Sequence, residues 1–169
     1  MRNVRNAVFE TNSSSVHSIT LDGTNVNNLV VYDDGYVHVR LGYFGKTYDE
    51  FYDSYTKLCY AILVCCCGYR IPLYCYYPED CLEDIDGWIE YASELTDTAD
   101  YKLIEECVVT ELNRQNKSCY GIKLIPCNCG IDHQMADKYE NIDQFLTDNN
   151  LSSIHEFIFG KAVLHTDRD

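Results

Sequence analysis

The chain has 169 residues and a formal net charge of −14, from 27 acidic against 13 basic side chains, and 46% of its residues are apolar. That content excludes a disordered tail and suits one domain, residues 1–169, with a real hydrophobic core. The negative field repels phosphate backbones, so direct nucleic-acid binding is excluded apart from a local patch, and basic protein surfaces become the expected partners; the same charge also serves simple solubility.

In chain order, Ala7-Val8-Phe9 and residues 16–21 read as two extended pieces around a polar turn, Thr11-Asn12-Ser13-Ser14-Ser15. Residues 29–41 predict a hairpin whose turn, Asp33-Asp34-Gly35, suits positive φ angles. Thr47-Tyr48-Asp49-Glu50 has the form of a capping box, with Glu50 at the third helical position. Phe51, Tyr55, Leu58, Cys59 and Ile62 then follow at helical spacing, and the helix is expected to end at residues 65–67 with Gly68 beyond it. Residues 71–77 are β-prone but hold Pro72, which confines them to an edge strand or a loop.

After Pro78, acidic residues open a second helix with Leu82, Ile85, Trp88, Ile89, Ala92 and Leu95 as its apolar stripe. A third helix spans 99–115, with Leu103, Ile104, Cys107, Val108 and Leu112 inward. Residues 120–125 predict a strand before Pro126, residues 142–147 and 153–159 two short helices, and residues 161–165 a last strand after Gly160. Strands first, helices in the middle and single strands late indicate an α+β fold, a mainly antiparallel sheet packed against three or four helices.

The opening segment lacks the apolar stretch of a signal peptide, and the longest apolar run, residues 58–67, is about ten residues, too short to cross a bilayer. A cytoplasmic, reducing compartment without membrane attachment is expected, so the ten cysteines are read as free thiols rather than disulfides. Cys65-Cys66-Cys67-Gly68 and Cys127-Asn128-Cys129-Gly130 share the pattern Cys-x-Cys-Gly. A cysteine turn ending in glycine can aim two thiolates at one ion, so Cys65, Cys67, Cys127 and Cys129 are candidate ligands of a tetrahedral zinc, with His133 able to replace one thiolate. Cys66, Cys75 and Cys119 are further substitutes, and buried small hydrophobes are the competing reading. Cys59 and Cys107 lie on apolar helical faces and belong to the core.

Around Asn12, Ser13, Ser14, Ser15 and His17, hydroxyls beside a histidine invite a nucleophile–base reading, against a turn whose side chains bond the backbone. The segment lacks the glycines and lysine of a phosphate loop. Asp132, His133 and Gln134 form a second polar group that, joined to His17, is catalytic, metal-binding or a structural network. His38 alternates with Val37 and Val39 and is expected to face solvent, while His155 and His165 carry no partner signal.

The stretch Phe9-Glu10-Thr11-Asn12-Ser13-Ser14-Ser15-Val16-His17-Ser18-Ile19 resembles the N-terminal signature of a group of small uncharacterised proteins of phages and their bacterial hosts. Ile131-Asp132-His133-Gln134, and the ending Phe157-Ile158-Phe159-Gly160 followed by a strand, are similar to that group too. The resemblance covers roughly an eighth of the chain. It implies a phage or mobile-element origin and brings no activity with it.

Fifteen tyrosines, nine of them between Tyr43 and Tyr77, suit either packing or a protein-binding face. The expected function is a non-enzymatic accessory protein, an acidic inhibitor of a host nucleic-acid-handling complex such as a CRISPR effector or a restriction enzyme. Asp49, Glu50 and Asp53, with Glu79, Asp80, Glu83, Asp84 and Asp86, are the candidate contacts. The alternatives are a small enzyme using His17 and His133, with or without metal, and a virion accessory protein.

Overall fold

A computed structural model describes residues 15–44, 49–66, 85–126, 130–131 and 139–168. In chain order the elements are β1 (Ser15–Thr20), β2 (Tyr36–Val39), β3 (Tyr43–Phe44), β4 (Asp49–Phe51), α1 (Ser54–Cys66), α2 (Ile85–Thr96), α3 (Ala99–Arg114), β5 (Gly121–Leu124), β6 (Gly130–Ile131), α4 (Ile142–Asp148), α5 (Ile154–Phe159) and β7 (Val163–Arg168). The fold is α+β, as the element order predicts. A three-stranded antiparallel sheet has the order β1-β7-β4, while β2 pairs with β5 and β3 with β6 in short parallel ladders.

Helix α1 is the centre of the body. Every residue from Lys57 to Cys65 is buried, so the helix is covered on all sides rather than along one stripe. Helices α3, α4 and α5 pack on it. An aromatic run crosses the same core, from Phe51 through Phe44, Tyr60 and Phe157 to Phe145 and Tyr139, with successive ring centroids 5.1–6.2 Å apart. Such edge-on and tilted contacts contribute about 0.5–1.5 kcal/mol each beyond the area they bury.

The start of α1 differs from the sequence expectation. Residues 49–51 are not a first helical turn: they pair with β7, Glu50 opposite His165 and Phe51 opposite Leu164. The cap is instead Asp53, whose Oδ1 accepts the Thr56 N–H at 2.8 Å, while Asn28 Oδ1 takes the Tyr55 N–H at 2.9 Å. The strand wins because the register puts Phe51 against the core, which a helix opening at Thr47 does not require.

The last three helices carry caps of the expected chemistry. Thr98, Asn141 and Ser153 accept the N–H groups of Tyr101, Gln144 and Glu156. Ile104, Val108 and Leu112 face inward on α3 as predicted, but Leu103 points out with 53% of its surface exposed, Cys107 is only half-buried, and Ile89 of α2 is exposed. Tyr101, one turn before Ile104, takes the inward place on α3.

Buried polar groups join α1 to α5. Ser54 Oγ donates to Ile158 O at 2.9 Å, and the Lys57 ammonium donates to Gly160 O at 3.3 Å and Ala162 O at 3.0 Å. The last carbonyls of α5 lack helical donors, so side chains from the first turn of α1 satisfy them.

Candidate functional site

The predicted turn is present, but the first arm of the expected hairpin is reduced to a single bridge, Val31 to Val37, and β2 pairs instead with β5 in parallel; the turn holds the largest exposed aromatic group among the described residues. Gly35 has φ +82°, its N–H donates to Tyr32 O at 2.8 Å, and Tyr32 N–H donates back to Tyr36 O at 3.0 Å. This is a tight turn followed by a left-handed residue, which glycine adopts without steric cost. Tyr120 enters β5 by donating its N–H to Gly35 O at 2.8 Å. Tyr36 and Tyr120 meet edge to face with centroids 6.3 Å apart, and Tyr32 stacks on His38 at 4.2 Å.

The rings remain open to solvent: Tyr32, Tyr36 and Tyr120 are 51%, 38% and 71% exposed. Two carboxylates stand among them. Asp33 is exposed. Asp34 Oδ2 receives His38 Nε2 at 2.8 Å and Lys123 Nζ at 3.3 Å, and its Oδ1 accepts the Tyr36 N–H. The hydrogen bond from His38, followed by those from Tyr36 and Lys123, holds the Asp34 carboxyl below the ordinary carboxylate range. His38 is thus half-buried between a ring and a carboxylate rather than simply turned to solvent.

A second polar group surrounds Glu111, which is nearly buried on α3. Arg114 donates from Nε at 2.9 Å and from a terminal nitrogen at 2.7 Å, Gln115 donates at 2.7 Å, and His155 Nε2 lies at 3.2 Å. The Arg114 fork, with Gln115 and His155 behind it and burial opposing, lowers the Glu111 carboxyl to about 2. A solvent-open groove of about 310 Å³ lies beside it, lined by Leu103, Glu106, Cys107, Thr110, Glu111 and His155. Burial, with Glu111 adding to it, pushes the Cys107 thiol up to about 11. Burial thus favours the neutral thiol of Cys107 over the thiolate that nucleophilic attack needs.

A third group lies on the outer face of the three-stranded sheet. Thr20 Oγ1 is 3.0 Å from His165 Nε2, His165 Nδ1 is 3.3 Å from Glu50 Oε1, and Tyr52 donates its hydroxyl to Glu50 Oε2 at 2.5 Å. His155 and His165 both have carboxylate partners, which the sequence does not signal. Their partners lie 44 and 115 positions away and are brought close only by helix packing and strand register.

Of the predicted metal ligands, Cys65 is buried near the end of α1. Cys67, Cys127, Cys129 and His133 lie outside the described residues, as does Cys75. Among the described residues, no three histidine, cysteine or acidic side chains are grouped to hold a metal ion. Cys59 is buried, as expected of a core residue, and its thiol donates to Arg40 O at 3.3 Å; Cys119 is also buried.

Of the predicted acidic contacts, Asp53 caps α1, Glu50 is engaged with His165 and Tyr52, and Asp49 is exposed on β4. Asp86 lies in the first turn of α2, and Glu79, Asp80, Glu83 and Asp84 lie outside the described residues. Ser15 and His17 are placed by backbone only, in β1 opposite Arg168 and Thr166. Asn12, Ser13, Ser14, Asp132 and Gln134 lie outside the described residues. No described helix is long and apolar enough to cross a membrane. No protein-family model, curated protein or solved structure matches the chain.

Proposed function

We propose that this chain is an acidic binding protein whose partner is a protein with a basic surface, of the kind that otherwise holds a nucleic-acid backbone, and that it acts by occupying that surface. One observation carries the reading: three exposed tyrosines stand around Asp33 and Asp34 at the tip of this turn, in a chain with net charge −14. Tyrosine offers large contact area with a polar end at low conformational cost, and aromatic side chains dominate the energetic centres of protein interfaces. The surrounding negative field accelerates encounter with a basic partner and fixes orientation more than it adds affinity. A CRISPR effector or a restriction enzyme has the required surface, and the resemblance of residues 9–19 to phage proteins agrees with such a target.

The test is binding of the full chain to purified effectors and restriction enzymes at about 50 and 300 mM salt, with duplex DNA as competitor. Binding is expected to weaken with salt, to be displaced by DNA, and to fall at least ~10-fold in a Tyr36→Ala/Tyr120→Ala variant. Binding indifferent to salt, or undiminished in that variant, refutes the proposal. A structural zinc held by the Cys-x-Cys pairs belongs to the same reading as a fold-stabilising element, independent of the tip.

A further inference from the structure

We propose that Thr20, His165 and Glu50 form a hydroxyl–imidazole–carboxylate relay that makes Thr20 a nucleophile toward activated acyl groups. Strand register is what assembles it. Glu50 of β4 and Ser18 of β1 both lie directly opposite His165 of the central strand, and Thr20 stands two residues beyond Ser18, on the same face of β1. The opposite face of the sheet turns Ile19, Phe51 and Leu164 into the core, so the relay occupies the outer one. His165 and Glu50 retain 22% and 36% exposure at the side chain, which leaves the group within reach of solutes.

The connectivity has the order that nucleophilic catalysis needs. The carboxylate lies on Nδ1 and the hydroxyl on Nε2, at 3.3 and 3.0 Å. With the imidazole proton on Nδ1 facing Glu50, Nε2 is the acceptor and the Thr20 hydroxyl donates to it. Tyr52 holds the second oxygen of Glu50 at 2.5 Å, which orients the carboxylate toward the ring. Strand β1 ends at Thr20, and the chain bends over residues 21–23.

In the step, Thr20 Oγ1 forms a bond to the acyl carbon and its proton passes to His165 Nε2. The bond from that carbon to the leaving oxygen or sulfur breaks, and the leaving group departs with the electron pair and takes the proton from His165 Nε2, so the imidazole is neutral again. Water then attacks the acyl-threonine with His165 again as base, the acid is released, and Thr20 recovers its proton. No oxidant or metal takes part. The substrate class is an ester or thioester with a good leaving group.

The experiment treats the full chain with p-nitrophenyl acetate and follows p-nitrophenolate release together with peptide mapping by mass spectrometry. A burst of about one equivalent and a single acetyl group on Thr20 are expected. Thr20→Val, which keeps the β-branched shape of the strand residue, should remove both, and Thr20→Ser should restore them. His165→Gln should slow acylation by ~10²-fold or more. Circular dichroism of each variant confirms the fold. Acetyl groups spread over lysines and tyrosines at the same rate in wild type and Thr20→Val overturn the proposal. So does a Thr20→Val variant that loses thermal stability but reacts like wild type, which would mark the three residues as a cross-strand polar ladder.

Discussion

Replacing Lys57 by methionine tests how α1 and α5 are joined. The lysine is fully buried, and its ammonium donates to the carbonyls of Gly160 and Ala162, with Asp53 pulling on it as an opposing charge. Burial disfavours the charged form and lowers its pKa from 10.5 to about 8, against the pull of Asp53. The sign follows from proton counting. Between pH 8 and 10.5 the unfolded chain keeps this proton and the folded chain has lost it, so stability rises with pH across that window. At about 1.4 kcal/mol per pH unit, the difference amounts to about 3 kcal/mol over the whole window, of which about 2–3 falls between pH 7 and 10.

Methionine fills a similar volume and does not titrate. It leaves the two carbonyls without the lysine donor, but that cost is the same at every pH. Urea unfolding of wild type and Lys57→Met at pH 7, 8, 9 and 10 therefore isolates the lysine, because the titrations of Cys107 and of the tyrosines are common to both proteins. The stability difference is expected to move toward wild type by about 2–3 kcal/mol over that range. A difference constant to within about 0.5 kcal/mol would show that Lys57 is solvated in the folded state and refute the reasoning.

Glu111→Gln removes a carboxylate whose pKa is lowered to about 2, so its stabilisation is present above pH 4.5 and is lost as pH falls toward 2. The variant should lose about 1–2 kcal/mol at pH 7 in denaturant titrations, the Arg114 end being largely exposed, and show a flatter acid limb. Gly35→Ala places a methyl group 2.3 Å from the Tyr120 ring at φ +82°, and should cost about 1–3 kcal/mol in thermal melts while shifting the Tyr36 and Tyr120 ring resonances. Asp53→Ala removes the α1 cap and should cost about 1 kcal/mol by urea unfolding, with partner binding by the tip unchanged. Protein purified without added zinc should carry about one equivalent by metal analysis, and less than about a tenth of an equivalent eliminates the cysteine site.

The turn at Gly35 with its returning strand β2, α3, the two short late helices and the last strand are legible in the sequence because local chemistry and tertiary packing agree there: a glycine at the turn, Thr98, Asn141 and Ser153 at the caps, and apolar residues at helical spacing; the first arm of the expected hairpin is not, because β2 takes β5 as its partner instead. Ser153 and Glu156 stand at capping-box spacing, with Ser153 Oγ accepting the Glu156 N–H and Glu156 Oε2 accepting the Ser152 N–H at 2.7 Å, one residue before the cap. Thr47-x-x-Glu50 has the same form but misleads, because pairing with β7 overrides it. The tyrosine count points to a binding face, yet Tyr32, Tyr36 and Tyr120, which stand together at the tip, all lie outside the tyrosine-rich stretch from Tyr43 to Tyr77. The Thr20–His165–Glu50 relay is illegible in sequence. Its members are 30 to 145 positions apart and meet only through register, whereas the eye is drawn to Ser15 and His17, which adjoin in sequence.

The middle strand of the antiparallel sheet consists of residues 163–168, while its two neighbours come from residues 15–20 and 49–51. During synthesis both neighbours emerge from the ribosome long before the strand that joins them, and each waits with an unmatched edge. Closing a loop of this length costs entropy before any ladder bond repays it, so the sheet is expected to be the slowest part to form. The helical core around α1 can gather earlier, and a chain arrested before residue 163 would expose two sticky strand edges to its neighbours.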